Sequence, residues 1–157
     1  MEKRFLTWEY IDNAMSDLAS KIKESGITIT SIYGLPRGGL IPAVMLSHKL
    51  NIPLFKSGYD VLVGSVLIVD DICDTGETLE KYANYPIATI HHKQTAMVEP
   101  MFYYEEVIGD IWLSYPWEND DSETIKPELN YLLLEEAYKW FVPEAKTTED
   151  KVILAIS

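Results

Sequence analysis

Residues 66–69 read Val-Leu-Ile-Val and run without a polar break into two adjacent carboxylates, Asp70 and Asp71. A short, β-branched apolar run of this kind predicts a buried strand. Two neighbouring ionised carboxylates repel, and burying them bare costs several kcal/mol. They must therefore face a polar ligand or a cation where the strand ends. In an open parallel sheet ligands bind beyond the carboxyl ends of the strands, and Asp70 and Asp71 are expected at such an end.

The rest of the chain supplies the partners for such a sheet. Trp8, Ile11, Met15, Leu18 and Ile22 step by three and four, which predicts a helix over 8–25 with Thr7 as N-cap and Gly26 as the stop. Residues 27–33 predict a strand, and 40–50 a helix with Pro42 in its first turn. A short strand is expected at 52–55, joined to the strand at 66–70 by the link KSGYDVLVGS, 56–65. A helix at 75–84, a strand at 85–92 and short strands at 102–108 and 111–115 come next. Residues 123–140, with Pro127, read as a helix and 151–156 as an edge strand. Strands alternating with helices predict an α/β fold, a mainly parallel central sheet flanked by helices.

At 157 residues the chain is one domain's worth, large enough to fold without a disulfide or metal staple. The single Cys73 excludes an internal disulfide and any cysteine-based zinc cluster. No apolar run approaches a membrane span, and the N-terminus lacks a signal-peptide core, so a soluble, intracellular, cytoplasmic protein is expected. The net charge is −12, and residues 99–150 alone hold 14 acids against 3 bases. Such a surface argues against nucleic acid as a partner. A small polyanion can still bind through backbone N–H groups, a few fixed cations, or Mg²⁺.

The segment after the carboxylates, Asp74-Thr75-Gly76-Glu77-Thr78, has the composition of an anion nest. Gly76 permits close backbone approach, Thr75 and Thr78 offer hydroxyls, and successive N–H groups can converge on a phosphate. Asp70 and Asp71 suit ribose hydroxyls or Mg²⁺, which takes oxygen ligands. Each half alone also admits an ordinary role. Asp70 or Asp71 can cap a turn, and Asp74 or Thr75 can cap a helix.

Together, IVDDICDTGET resembles the signature with which type I phosphoribosyltransferases bind 5-phosphoribosyl-1-pyrophosphate (PRPP). YGLPRGGLIPAVMLSHKL, 33–50, is similar to the pyrophosphate loop of the 6-oxopurine members. The resemblance implies that Arg37, Gly38 and Gly39 hold pyrophosphate, with a non-proline cis peptide before Arg37. It implies PRPP contacts from Asp70, Asp71, Asp74, Thr75, Gly76, Glu77 and Thr78, with Mg²⁺ at Asp70 and Asp71. Without that signature, RGG reads equally as a plain strand–helix turn.

FLTWEYIDNAMSDLASKI (5–22) and DIWLSYPWE (110–118) resemble segments of the xanthine-guanine phosphoribosyltransferases. The resemblance implies Lys93 at the 6-oxo group of a purine, Trp112 stacked on the ring, and the main chain of Leu113 at the ring edge, in a small C-terminal base-binding subregion. Asp74 would be the proton acceptor at N7, and N9 would attack C1 of PRPP through an oxocarbenium-like state while Arg37 and Mg²⁺ neutralise the departing pyrophosphate. Lys93 alone also reads as a solvated lysine and Trp112 as core. Tyr115, Pro116 and Trp117 read as packing, His91 and His92 as strand residues without a metal pattern, and His48 as helix surface.

The resemblance covers residues 5–118 of a single domain and leaves 119–157 as an unmatched extension. Family members carry a long excursion where this chain has only 56–65, so slower catalysis or a leak of the reactive centre to water is expected unless 119–157 or a second subunit supplies a cover. Glu77 stands where the family often has Gly. A non-catalytic PRPP-binding regulatory module is the alternative, and Asp74, Lys93 and Trp112 argue against it because a sensor needs no base site. A receiver-like acid pocket would have no use for the D-T-G-x-T loop. Members of the family associate, so a homo-oligomer is expected, with Trp140, Phe141 and 131–134 reading equally as a subunit contact or as packing on the sheet within one chain.

Overall fold

The computed structural model describes residues 1–55 and 65–119. In chain order these form β1 (Glu2–Phe5), α1 (Trp8–Ser25), β2 (Ser31–Gly34), α2 (Leu40–Leu50), β3 (Val66–Cys73), α3 (Glu77–Glu80), β4 (Ile87–Lys93), β5 (Phe102–Val107) and β6 (Ile111–Ser114). A four-stranded sheet has the order β2-β3-β4-β5, and every neighbouring pair is parallel. A second, two-stranded sheet pairs β1 with β6, also in parallel. The expected α/β class with a mainly parallel sheet is the fold found.

The central strand explains the arrangement. Successive side chains of a strand point to opposite faces, and β3 buries both. Leu67 and Val69 join the core formed with Ile11, Met15, Leu18 and Leu46, while Val66 and Ile68 join Leu35, Leu79 and Ile87 on the other face. A strand covered on both faces needs an unbroken apolar run rather than an alternating one. Residues 66–69 are that run.

Helix α1 starts and stops as its sequence predicts. Thr7 Oγ1 accepts from the N–H of Tyr10 at 3.1 Å, and Gly26 closes the helix at φ 70. Ile11, Met15, Leu18 and Ile22 are buried. Trp8 departs from the expected apolar face. It is the first helical residue, 53% exposed, with its ring 6.0 Å from that of Trp117.

Three other elements differ from expectation. The strand expected over 27–33 begins only at Ser31, and 52–55 contributes a single bridge, Ile32 to Leu54. The helix expected over 75–84 is one turn, α3, followed by tighter turns. There the N–H groups of Tyr82, Ala83 and Tyr85 bond three residues back, to Leu79, Glu80 and Tyr82. Packing of Tyr82 against Tyr33 and Tyr85 favours the compact turns over a continued helix. β1, which the sequence did not suggest, is held by its pairing with β6 a hundred residues away. The helix expected at 123–140, the strand at 151–156, the contact around Trp140 and Phe141, and all but Ser65 of the 56–65 link lie outside the described residues. Among the described residues no helix is long and apolar enough to cross a membrane.

One polar residue is sealed inside. His91 on β4 has 0% exposure. Burial pushes its imidazole down from 6.5 to about 4, against the opposing pull of the Glu105 charge. The 3.8 Å approach of Nε2 to Glu105 is therefore no ion pair at neutral pH. Because the unfolded chain takes up this proton first as pH falls, the stabilisation is intact above the ordinary histidine value and lost toward about pH 4. Urea unfolding should show wild type losing about 3 kcal/mol relative to His91→Gln between about pH 7 and about pH 4. A constant difference would contradict the buried neutral imidazole.

Candidate active site

The sheet delivers Asp70 and Asp71 to the far end of β3. The strand runs three residues past the expected stop, to Cys73, so both acids sit within it and are only partly covered. Each folds one oxygen onto the main chain. Asp70 Oδ1 accepts the N–H of Asp71 at 2.9 Å, and Asp71 Oδ1 accepts that of Ile72 at 2.8 Å. Burial raises both carboxyls above the usual range, and for Asp70 the neighbouring Asp71 charge adds to the effect. The pair thus concentrates negative charge that a cation or a hydroxyl-bearing ligand would relieve.

The Arg-Gly-Gly turn lies directly on this pair. A Cβ at Gly38 would fall 2.2 Å from Asp71 Oδ2, and one at Gly39 would fall 2.3 Å from the carbonyl oxygen of Val69. The peptide between Pro36 and Arg37 is cis, as the resemblance implies. The two glycines differ in what they leave free. Gly39 donates its N–H to Leu35 at 2.8 Å, so its donor is already engaged.

The loop at 74–78 is braced from behind. Gly76 adopts φ +89, and a Cβ there would fall 2.9 Å from the N of Val98. The Thr75 carbonyl accepts the N–H of Met97 at 2.8 Å. Thr75, Glu77 and Thr78 are exposed. The N–H of Glu77 is only loosely engaged, 3.3 Å from Thr75 Oγ1. Cys73, between the acids and the loop, is buried, and burial followed by the Asp70 and Asp74 charges pushes its thiol up to about 11. A thiol of that kind stays protonated and is no nucleophile.

Lys93, the last residue of β4, extends Nζ to 3.0 Å from Asp74 Oδ1. Both line a cleft of about 380 Å³ together with Gln94, Thr95, Val107, Ile108, Gly109 and Asp110. The structure therefore gathers Asp70, Asp71, Asp74, the 75–78 loop, Gly38 and Lys93 at one end of the sheet. It does not bring Trp112 or Leu113 into that lining. Both lie on β6, Trp112 52% exposed and Leu113 in the core.

Some residues here escaped the sequence reading. Gln94 and Thr95 follow the end of a parallel strand, a position that by itself signals ligand contact. Asp110 and Ile108 carry no such signal. Glu118 is raised by burial, with the Asp71 charge acting in the same direction and that of Arg37 against it, which puts a further carboxyl close to the acid pair.

No protein-family model matches the chain. It is 29% identical over 147 residues to the xanthine-guanine phosphoribosyltransferase of Cereibacter sphaeroides, covering 74% of this chain and 88% of that one. To the enzyme of the same name from Idiomarina loihiensis it is 27% identical over 139 residues, covering 73% and 86%. The crystal structure of purine phosphoribosyltransferase from Pyrococcus horikoshii Ot3 superposes with a TM-score of 0.65 at 35% identity, covering 80% of this chain and 99% of that one.

The two glycines separate stability from ligand binding. Gly39→Ala drives a Cβ into main chain that cannot yield, and should cost about 1–3 kcal/mol in urea unfolding. Gly38→Ala meets a side chain that can rotate, so its stability loss should be smaller while affinity for the ligand of Asp71 falls. Equal stability losses with unchanged ligand affinity would contradict the close packing of Gly38 on Asp71.

Proposed function

The chain belongs to the type I phosphoribosyltransferase family, and from that premise we propose that it transfers the 5-phosphoribosyl group of PRPP to a 6-oxopurine base, releasing pyrophosphate. The observation that carries this reading is the Asp74–Lys93 pair in the cleft. It offers one acceptor and one donor side by side. A 6-oxopurine presents a matching edge, with O6 as acceptor beside N7. Lys93 donates to O6, and Asp74 takes the N7 proton, which makes N9 the better nucleophile. Adenine presents a 6-amino donor to the Lys93 donor and is rejected. A PRPP sensor would have no use for this pair.

The remaining residues hold the other substrate. Main-chain N–H groups of 75–78 and the hydroxyls of Thr75 and Thr78 receive the 5′-phosphate, Glu77 contributing its N–H and turning its exposed carboxylate outward. Asp70 and Asp71 accept the ribose hydroxyls. Arg37 forks to the pyrophosphate beside the Gly38 backbone, whereas Gly39 acts by letting the turn lie on β3. β6 pairs only with β1 among the described residues, which leaves main-chain groups near Leu113 for the ring edge and the exposed Trp112 face for stacking.

Phosphoribosyltransferases generally use Mg²⁺ with PRPP. Two carboxylates raised by burial, Asp70 further by the Asp71 charge, are an oxygen donor set that fits it, and among the described residues no cluster of three or more acids, histidines or cysteines forms an all-protein cage. Such a site suits Mg²⁺, which is held by one or two carboxylates plus phosphate oxygens and water. When bound it supplies neutralisation of the charge that develops on the pyrophosphate.

Pyrophosphate release from PRPP with Mg²⁺ should require guanine, xanthine or hypoxanthine and should fail with adenine, orotate or uracil. Release without any base would mean that water reaches the reactive centre. No release with any base, with PRPP binding intact by calorimetry, would replace the transferase by the sensor. Lys93→Gln should lower kcat/KM for the base about 10- to 100-fold. Asp74→Asn should lower kcat by about 10²–10⁴. Undiminished activity in either variant would remove that residue from its role.

A further inference from the structure

A series of side-chain hydrogen bonds runs from the partly exposed Arg4 to the main chain of Asp71. Arg4 on β1 forks to Glu105 on β5, Nη1 to Oε1 at 2.5 Å and Nη2 to Oε2 at 3.1 Å. Tyr10 of α1 donates its hydroxyl to Glu105 Oε2 and also lies 2.9 Å from Nε2 of His91, with the two rings stacked. On the other side of the imidazole, Nδ1 is 2.7 Å from the Tyr115 hydroxyl. That hydroxyl reaches the Asp71 carbonyl oxygen at 3.3 Å. Side chains from β1, α1, β4, β5 and the segment after β6 thus converge on one main-chain atom of the acid pair.

The hydrogens decide how the series is oriented. Between Glu105 and Asp71 it has four contacts, to which Tyr10, neutral His91 and Tyr115 bring one hydrogen each. Glu105, held below its usual range first by its hydrogen bond from Arg4, takes the Tyr10 hydrogen. The 2.9 Å contact then needs the hydrogen of His91 on Nε2, leaving Nδ1 bare. Tyr115 keeps its own hydrogen, which is then shared between the bare Nδ1 at 2.7 Å and the Asp71 carbonyl at 3.3 Å. Its hydroxyl is oriented rather than free to rotate.

The carbonyl it reaches belongs to the peptide joining Asp71 and Ile72. The N–H of that same peptide is bonded to Asp71 Oδ1 at 2.8 Å. Because a peptide is planar, holding its oxygen sets its N–H, and that N–H sets the carboxylate. The Tyr115 ring is separately packed, stacked 4.9 Å from Trp117. Packing therefore accounts for the ring, and with it the phenolic oxygen, but not for the direction of the O–H bond.

We propose that Tyr115 is a positioning residue for PRPP: its hydroxyl, oriented by His91, Tyr10 and the Arg4–Glu105 pair, fixes the Asp71–Ile72 peptide and through it the carboxylate that receives the ribose. The proposal rests on the reading of Asp70 and Asp71 as the PRPP site. It extends that site to residues that touch neither substrate.

Tyr115→Phe removes the hydroxyl and keeps the ring. It should raise KM for PRPP about fivefold while KM for the purine base stays within about twofold. Tyr10→Phe disorients the hydroxyl without removing it and should shift the same constant in the same direction by a smaller factor. Trp117→Phe disturbs ring packing on Tyr115 and Trp8 without removing any group of the hydrogen-bond series, and should lower Tm without separating the two KM values. An unchanged KM for PRPP in Tyr115→Phe overturns the proposal, as does a common shift of both KM values and kcat that Trp117→Phe reproduces. Should Tyr115→Phe not fold, Tyr10→Phe decides. Calorimetry of PRPP with Mg²⁺ separates this inference from the functional one. Binding by wild type without base-dependent turnover would defeat the transferase reading, and even then about fivefold weaker binding by Tyr115→Phe supports the positioning role. Equal binding by the two proteins defeats it.

Discussion

β3 is packed on both faces at once, and the rest of the molecule is arranged around that burial. Leu67 and Val69 are covered by the core that contains α1 and α2, while Val66 and Ile68 are covered from the side of Leu35, Leu79 and Ile87. A strand held this way has no freedom to tilt, so the residues beyond its apolar run are held in fixed positions. Those residues are Asp70 and Asp71. Close approach of the Arg-Gly-Gly turn depends on the same strand, because Gly39 lies against the Val69 carbonyl and Gly38 against the Asp71 carboxylate. A side chain at either position would lift the turn away from the acids it has to meet.

Electrostatics then divides the site into two parts of different character. Asp70 and Asp71 are partly covered and adjacent, and both are raised. Asp74, four residues from Asp70, is exposed and paired with Lys93. One part is destabilised until a ligand with hydroxyls or positive charge arrives. The other is already balanced as an ion pair, and on the proposed reading it would exchange that pair for hydrogen bonds of the same polarity with a purine edge. A chain with a net charge of −12 handles a polyanionic substrate in this way through local devices, backbone N–H groups and single cations, rather than through its overall field.

Much of this was legible along the chain. The limits of α1 followed from Thr7 and Gly26, since an oxygen that caps and a residue that tolerates φ 70 are local properties. α2 was equally plain, from the break at 34–39 and Pro42 in its first turn. The segment 75–84 was not, because its helical composition was overridden by Tyr82 packing on Tyr33, a contact with no trace in local sequence. β1 was missed for a related reason. Four residues with no marked periodicity become a strand only because β6 lies alongside.

The site divides along the same line. Residues 66–78 by themselves determined a buried strand, a pair of acids directly after its apolar run and a glycine-containing loop suited to an anion, because each is set by the order of neighbouring residues. His91 and Tyr115 read as strand and packing residues and turned out to be linked to Asp71, across 44 positions in the case of Tyr115. The meeting of Lys93 with Asp74, and of Gly38 with Asp71, likewise belongs to the tertiary structure. Such contacts depend on how β3 and β4 are registered and on where the turn after β2 descends, and register is set by the packing of whole faces rather than by any residue taken with its neighbours.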